Sequence, residues 1–259
     1  MDDFKTTEAW RVFRIQAELI DGIETLRGMG PAVTIFGSAR TPDDDASYLA
    51  AKETAELFSK HGVGVITGGG PGIMEAANKG AFSEGAVSVG LNIALPFEQQ
   101  ANHFQDVSIS FRYFFVRKLM FAKYADAFII FPGGFGTLDE LFEALTLVQT
   151  GKMRHLPIIL YGSDYWQGLL QWLRSKVLSE GCISKKDLNI FHVVDNPRQA
   201  LSIVSAALKS NLKKQKKLKK LKKRKKREEL EKREGLEKQG STKKTEKNNS
   251  KTGKQIKLK

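Results

Sequence analysis

One ten-residue segment combines glycines and acidic side chains in a spacing that could serve catalysis. Residues 131–140 read FPGGFGTLDE, so the end of an apolar run is followed by three glycines and then by Glu140. Glycines let backbone N–H groups approach an anion closely, and the helix that we predict to begin at Thr137 adds partial positive charge. That arrangement suits a phosphate. A carboxylate one turn into the helix would repel the anion, so Glu140 indicates a second role, for which catalysis is the first candidate.

The chain around this segment alternates predicted strands with predicted helices. Short apolar runs indicate strands, and amphipathic stretches between them indicate helices, one of them capped by residues 43–45. We expect strands at 32–36, 63–67, 87–91, 107–111, 127–131 and 156–161, and helices at 7–26, around 48–57, and at 73–80, 113–124, 137–149, 166–177 and 197–208. This order is typical of an α/β fold with a three-layer, Rossmann-like, doubly wound parallel sheet.

Three glycine-bearing loops follow predicted strands, and they begin at Gly37, Gly68 and Gly133. Ligands of such sheets bind beyond the carboxyl ends of the strands, so the three loops predict one shared site. The residues that we expect to contact a substrate there are Ser38, Arg40, Gly69, Gly70, Glu75, Lys118, Gly133, Gly134, Phe135, Gly136 and Thr137.

Two common nucleotide-binding motifs are absent from the sequence. The first strand is followed by GSAR instead of GxGxxG, and the second ends in Thr67, where an NAD site uses an acid for the ribose hydroxyls. There is no GxxxxGK[ST] segment, and the four histidines lack metal-ligand spacing. A small phosphorylated molecule is therefore favoured over NAD or a nucleoside triphosphate. We expect no cofactor and no metal.

Several motifs resemble the bacterial branch of the LOG family, the cytokinin riboside 5′-monophosphate phosphoribohydrolases. Residues 132–140 match the signature PGGxGTxxE, and residues 67–81, TGGGPGIMEAANKGA, resemble the second glycine motif of the family. Residues 95–99, 111–121 and 147–151 are similar to the same branch and follow in the same order. The resemblance extends from about residue 32 to residue 173.

The resemblance implies hydrolysis of the N-glycosidic bond of a cytokinin or adenine nucleoside 5′-monophosphate, as in AMP nucleosidase, giving free base and ribose 5-phosphate. It places the catalytic pair of the family on Arg117 and Glu140. The chemistry agrees, because a carboxylate stabilises an oxocarbenium-like transition state and can activate water. We expect Arg117 to orient Glu140, and the alternative is that it supports the phosphate or the leaving base. Members of the family often carry a lysine decarboxylase label, but no convincing lysine for pyridoxal phosphate is visible in the sequence.

Other interpretations remain open at this stage. A non-catalytic nucleotide or cofactor carrier on the same scaffold, as in the molybdenum-cofactor carriers, is the alternative, although it would not need Glu140. Asp139 is expected to be a helix-terminus charge, and Glu143 either supports Glu140 or is solvated. The resemblance also implies a homodimer or larger homo-oligomer, for which apolar helix faces near Phe114, Phe115 and Leu145 are available.

Charge is distributed unevenly along the 259 residues. Residues 209–259 contain 23 of the 42 basic residues and 6 of the 29 acidic ones, which leaves 19 basic and 23 acidic residues in 1–208. We therefore expect a mildly acidic domain at 1–208 and a Lys-rich, partly helical or disordered tail at 209–259. The tail is interpreted either as a solvated extension or as a binder of nucleic acid or another polyanion.

Compartment signals are few but consistent. The single cysteine, Cys182, excludes an intramolecular disulfide and suits a reducing cytosol. The acidic N-terminus lacks the apolar core of a signal peptide, and no stretch approaches the roughly 18 apolar residues of a membrane span. The sequence thus predicts a soluble, cytoplasmic protein without a transmembrane segment.

Overall fold

The computed structural model describes residues 8–95, 100–214 and 220–224. The chain divides into two units, Met1–Ala207 and Leu208–Lys259. The strands of the first unit are β1 (Ala32–Phe36), β2 (Gly64–Thr67), β3 (Ser88–Ile93), β4 (Val107–Phe111), β5 (Ala127–Ile130), β6 (Ile158–Tyr161) and β7 (Phe191–Val194). Its helices are α1 (Glu8–Thr25), α2 (Ala46–Lys60), α3 (Ile73–Ser83), α4 (Phe114–Tyr124), α5 (Phe135–Gln149) and α6 (Ser163–Trp172), and residues 197–207 are also helical.

The seven strands form one parallel sheet in the order β4-β3-β2-β1-β5-β6-β7. From β1 the chain proceeds outward to β4, and it then returns to the other side of β1 with β5. The loops after β1 and β5 therefore diverge at a topological switch point, which is where doubly wound sheets bind their ligands.

Helices cover both faces of the sheet, which confirms the predicted Rossmann-like architecture. α1, α4, α5 and α6 enclose one hydrophobic core, in which Phe121, Leu141 and Trp166 pack against sheet residues such as Phe36 and Ile130. α2 and α3 pack together on β1 and β2 at the opposite face. Strands covered on both faces read as continuous apolar runs, which is why they were recognisable in the sequence.

Several boundaries differ from the sequence-based expectations, and one strand was not expected. α5 begins at Phe135, two residues before Thr137, because Gly134 takes the extended N-cap conformation. α6 ends at Trp172 and continues as a single π-helical segment, Leu173–Leu178. β7 was not predicted, because its four residues include His192 and it pairs only with β6 at one edge of the sheet. Edge strands need not be apolar on both faces.

The second unit is described only in part. Residues 208–214 and 220–224 are helical, and their lysines and Arg224 are exposed. The other residues of the predicted tail lie outside the described residues. Within the described ranges, no helix is both long enough and apolar enough to cross a membrane.

Candidate active site

A cavity of about 810 Å³ opens at the carboxyl ends of β1, β2 and β5. Gly37, Gly68 and Gly133 all line it, so the predicted meeting of the three loops is confirmed. The β1 loop joins the other two through its backbone. The N–H of Ser38 donates to the carbonyl of Pro132 at 2.9 Å, and its carbonyl accepts from the N–H of Ile73 at 3.0 Å.

The loop at 133–136, which we call the acid loop because it leads into the helix that carries Glu140, is open to the cavity. The first hydrogen bond of α5 is donated by Leu138 to Gly134 at 3.0 Å, so the N–H groups of residues 135–137 have no acceptor within the helix. An added Cβ at Gly134 or Gly136 would meet no atom within 4 Å, and the Phe135 side chain is 92% exposed. This helix start presents free N–H donors and partial positive charge, the combination that binds phosphate.

The loop at 68–72, which we call the packed loop, is closed by buried amides. The Asn102 side chain donates to the carbonyls of Gly69 at 3.1 Å and Gly70 at 3.0 Å, and Gln105 donates to that of Gly69 at 2.9 Å. The N–H of Gly69 is itself used, since it donates to the hydroxyl of Thr67 at 2.9 Å. Gly69 and Gly70 are buried, and neither lines the cavity.

Arg117 lines the cavity, and two backbone carbonyls, one of them in the packed loop, hold its guanidinium. Its Nε donates to the carbonyl of Leu91 at 2.7 Å, and its Nη2 donates to that of Gly68 at 3.2 Å. The guanidinium also lies 5.1 Å from the ring centre of Phe121. Burial lowers its pKa to about 10, against the opposing effect of Glu140, so Arg117 is charged at neutral pH.

The cation that pairs with Glu140 is Lys118, whereas we had expected Arg117 in that position. The Lys118 ammonium lies 3.3 Å from Oε1 of Glu140, 2.9 Å from Asp139 and 2.5 Å from Glu143. Burial lowers the pKa of Lys118, but the three carboxylates outweigh it and raise the pKa to about 12. Asp139 and Glu143 therefore act together on one cation of α4.

Glu140 lines the cavity although its side chain is only 12% exposed. Burial raises its pKa to about 7, with a further increase from Glu143, while Lys118 and Arg117 oppose the rise. A carboxylate with a pKa near neutrality can both accept a proton from water and exist in its ionised form at physiological pH.

The cavity brings together most, but not all, of the predicted residues. Those that line it are Ser38, Arg40, Arg117, Gly133, Gly134, Phe135, Gly136, Thr137 and Glu140. Gly69, Gly70, Glu75 and Lys118 do not line it, and the Glu75 side chain instead hydrogen-bonds to Tyr48 of α2.

Sequence reasoning missed several lining residues. The Tyr165 hydroxyl donates to the carbonyl of Gly133 at 2.6 Å and so fastens the acid loop. Its place just after β6, at the same end of the sheet, is the signal that could have identified it. The other lining residues that were missed are Phe36, Ala39, Met74, Ile93, Leu95, Phe114, Leu138 and Asp139.

Known proteins share both this sequence pattern and this fold. The family model described as possible lysine decarboxylase matches residues 74–204. A probable cytokinin riboside 5′-monophosphate phosphoribohydrolase of Oryza sativa subsp. japonica is 30% identical over 70% of this chain and 80% of that protein. The cytokinin riboside 5′-monophosphate phosphoribohydrolase of Mycobacterium tuberculosis is 32% identical over 65% of this chain and 90% of that protein. The molybdenum cofactor binding protein of Rippkaea orientalis has the same fold, with a TM-score of 0.51 and 20% identity over 69% of this chain and 97% of that one.

Proposed function

Because this chain belongs to the LOG family, whose sequence model is described as possible lysine decarboxylase, we propose that it hydrolyses the N-glycosidic bond of a nucleoside 5′-monophosphate. The substrate class is a cytokinin or adenine nucleotide, and the products are the free base and ribose 5-phosphate. One observation carries the proposal: an open helix N-terminus and a carboxylate with a pKa of about 7 line the same cavity.

The acid loop is suited to the 5′-phosphate of the substrate. Phe135, Gly136 and Thr137 offer N–H groups that are not used inside α5, and the helix dipole favours an anion at that end. Arg40 lines the same cavity with an exposed guanidinium and adds positive charge for the phosphate. Binding energy from the phosphate, which does not react, orients the ribose against Glu140.

Glu140 is the proposed catalytic base. In the reaction a water oxygen bonds to C1′ of the ribose, the C1′–N bond breaks, and its electron pair leaves with the base nitrogen, which takes a proton from solvent. Glu140 accepts the proton of the water, and its negative charge stabilises the positive charge that develops on the sugar. Arg117 lines the cavity as a fixed cation, suited to hold the substrate or the departing base.

Lysine decarboxylation does not fit the lysine that pairs with Glu140. A lysine that forms a Schiff base with pyridoxal phosphate needs a lowered pKa, so that its amine can be neutral. The pKa of Lys118 is instead raised to about 12 by its carboxylate neighbours.

Chromatography of released base tests the function. The full-length protein is incubated with AMP and with isopentenyl-AMP, and free base and ribose 5-phosphate are quantified. We expect the two products in equal amounts from at least one nucleotide. Nucleotide that binds but stays intact would contradict the hydrolase and favour a carrier, and the absence of both binding and release would contradict the nucleotide site.

We also propose that the protein forms a homodimer through α4 and α5. Phe115 and Leu119 of α4 and Phe142 of α5 are exposed, and the ion pairs of Lys118 hold the two helices side by side. Light scattering should give twice the 28.9 kDa of one chain. Leu119→Lys should reduce the mass to one chain, whereas Leu49→Lys, at an exposed position of α2, should not. A wild-type monomer would contradict the dimer.

For the basic tail we propose sequence-independent binding of nucleic acid. Its residues carry a large excess of positive charge and include no aromatic side chain for base stacking, so the attraction is electrostatic. Anisotropy of a labelled single-stranded RNA with the full chain should show binding that weakens steeply with salt. Replacing Lys222, Lys223 and Arg224 by Gln should reduce the log–log salt slope by about 2. RNA that fails to bind at low salt would contradict the proposal.

A further inference from the structure

One cation on α4 is surrounded by three carboxylates of α5. The Lys118 ammonium contacts Asp139 at 2.9 Å, Glu140 at 3.3 Å and Glu143 at 2.5 Å, and its side chain is 15% exposed. Asp139 and Glu143 are four residues apart on α5, with Glu140 between them, so the ammonium is fixed by carboxylates of successive helical turns.

Lys118 does not line the cavity, although Arg117 and Glu140 do. The two neighbours on α4 consequently serve different sides of the site. Arg117 faces the cavity and is tied to the backbone at Leu91 and Gly68, while Lys118 lies behind Glu140, between α4 and α5.

We propose that Lys118 is a positioning residue, which favours the ionised form of Glu140 and orients its carboxylate without touching the substrate. The ammonium lies 3.3 Å from Oε1, so the proposal assigns the proton of the water to the other carboxylate oxygen, Oε2. This inference rests on the proposed function, since it assigns Glu140 as the base.

The charges around Glu140 predict that its pKa will shift in opposite directions when the charge of Lys118 or that of Glu143 is removed. Among the described residues, Lys118 and Arg117 of α4 lower the pKa of Glu140 and Glu143 of α5 raises it, while Asp139 competes for the Lys118 ammonium. Removing the Lys118 charge should raise the pKa of Glu140 above its value of about 7. Removing the Glu143 charge should lower it, because a repelling carboxylate disappears and Lys118 loses a competing partner.

The closing experiment measures Glu140 directly and does not require turnover. Side-chain carboxyl carbons of glutamate are labelled with ¹³C in the full chain, and the signal of Glu140 is assigned by its absence from Glu140→Gln. We expect Lys118→Met to raise the midpoint by about one pH unit or more, and Glu143→Gln to lower it. Lys118→Arg should restore most of the wild-type midpoint. Lys123→Met, an exposed lysine on the same helix whose ammonium lies near the ring of Tyr124, should leave it unchanged.

Kinetics of the same variants connect the midpoint to the reaction. The acid limb of the rate profile should move with the midpoint, so that a shift of one pH unit in Lys118→Met costs about fivefold in kcat at pH 7, while its KM for nucleotide stays within about twofold.

Any of three results would overturn the inference. One is an unchanged Glu140 midpoint in a folded Lys118→Met. Another is a Glu140 midpoint that rises in Glu143→Gln, a variant that tests the inference even if Lys118→Met does not fold. The third is a large increase in KM in Lys118→Met with an unchanged acid limb of the rate profile, which would make Lys118 a substrate contact. If the midpoints shift as expected but the wild type releases no base, the proposed function fails and the positioning of Glu140 stands.

Discussion

The acid loop and the packed loop are alike in sequence but opposite in structure. Each follows a parallel strand, contains three or more glycines and leads into a helix with a glutamate. In the acid loop, Gly134 and Gly136 line the cavity and have open space around them. In the packed loop, Gly69 lies under the side chain of Asn92, and its carbonyl and N–H are both bonded inside the protein.

The difference shows that glycine serves two separate purposes at one cavity. In the acid loop, the absence of a side chain exposes backbone donors to a ligand. In the packed loop, it lets the chain fit against Asn92 and Asn102, and the resulting rigid carbonyl of Gly68 holds Arg117. One loop is therefore suited to bind a ligand, and the other supports Arg117, which lines the cavity.

The largest contrast should come from the glutamates in the helices that follow the two loops, Glu140 in α5 and Glu75 in α3. Glu140→Gln removes the proposed base and should reduce base release by a factor of about 10² to 10⁴, while ribose 5-phosphate still binds. The matched variant Glu75→Gln changes a side chain that bonds to Tyr48 outside the cavity, so its rate should stay within about threefold of wild type. Comparable losses in both variants would remove the distinction between the two loops.

The pH dependence should identify Glu140, in the helix that follows the acid loop, as the ionisable group. Burial raises the pKa of Glu140 to about 7, and the carboxylate is the active form. As pH falls below that value the group becomes protonated, so the decrease in kcat/KM should approach about tenfold per pH unit and reach about 50-fold between pH 7 and pH 5. A profile that stays flat down to pH 5 would contradict the assignment of Glu140.

Alanine substitutions should separate the loops by stability. Gly69 has φ +73°, and an added Cβ would collide with the Asn92 side chain, so Gly69→Ala should lower the free energy of unfolding by about 1–3 kcal/mol. Gly136→Ala, inside the first turn of α5 with open space around it, should change it by less than about 1 kcal/mol. Urea unfolding measures both, and equal values would mean that the two loops tolerate side chains alike.

The smallest effect is expected from Phe135→Ala. Its ring is 92% exposed in the acid loop, so the free energy of unfolding should change by no more than about 0.5 kcal/mol. A larger loss in the same urea titration would mean that the acid loop packs as tightly as the packed loop.

Much of the fold could be predicted because its strands are buried on both faces. Runs such as AVTIF and AFII allow few other structures, and the alternation of elements then fixes a parallel, doubly wound sheet. Failures occurred where that signal is weak. β7 pairs along one edge only, and the start of α5 depends on the conformation of Gly134.

The candidate site was predictable only in part, because spacing shows which loops meet but not which atoms are already bonded. In the sequence, Gly69 and Gly70 resemble ligand-binding glycines. In the structure, their carbonyls already accept hydrogen bonds from Asn102, which is distant in the chain. Arg117 and Lys118 are neighbours on one helix, yet a rotation of about 100° per residue gives them different surroundings.

The sequence by itself determined the strand–helix order, the three glycine loops and the position of Glu140 one turn into the helix that follows the third loop, because these depend on local pattern and strand polarity. Only the tertiary structure decided that one glycine loop is open and the other closed, that Lys118 and not Arg117 pairs with Glu140, and that burial brings the pKa of that acid to about 7. Those properties arise from residues far apart in the chain, since hydrogen-bond partners and desolvation are set by packing.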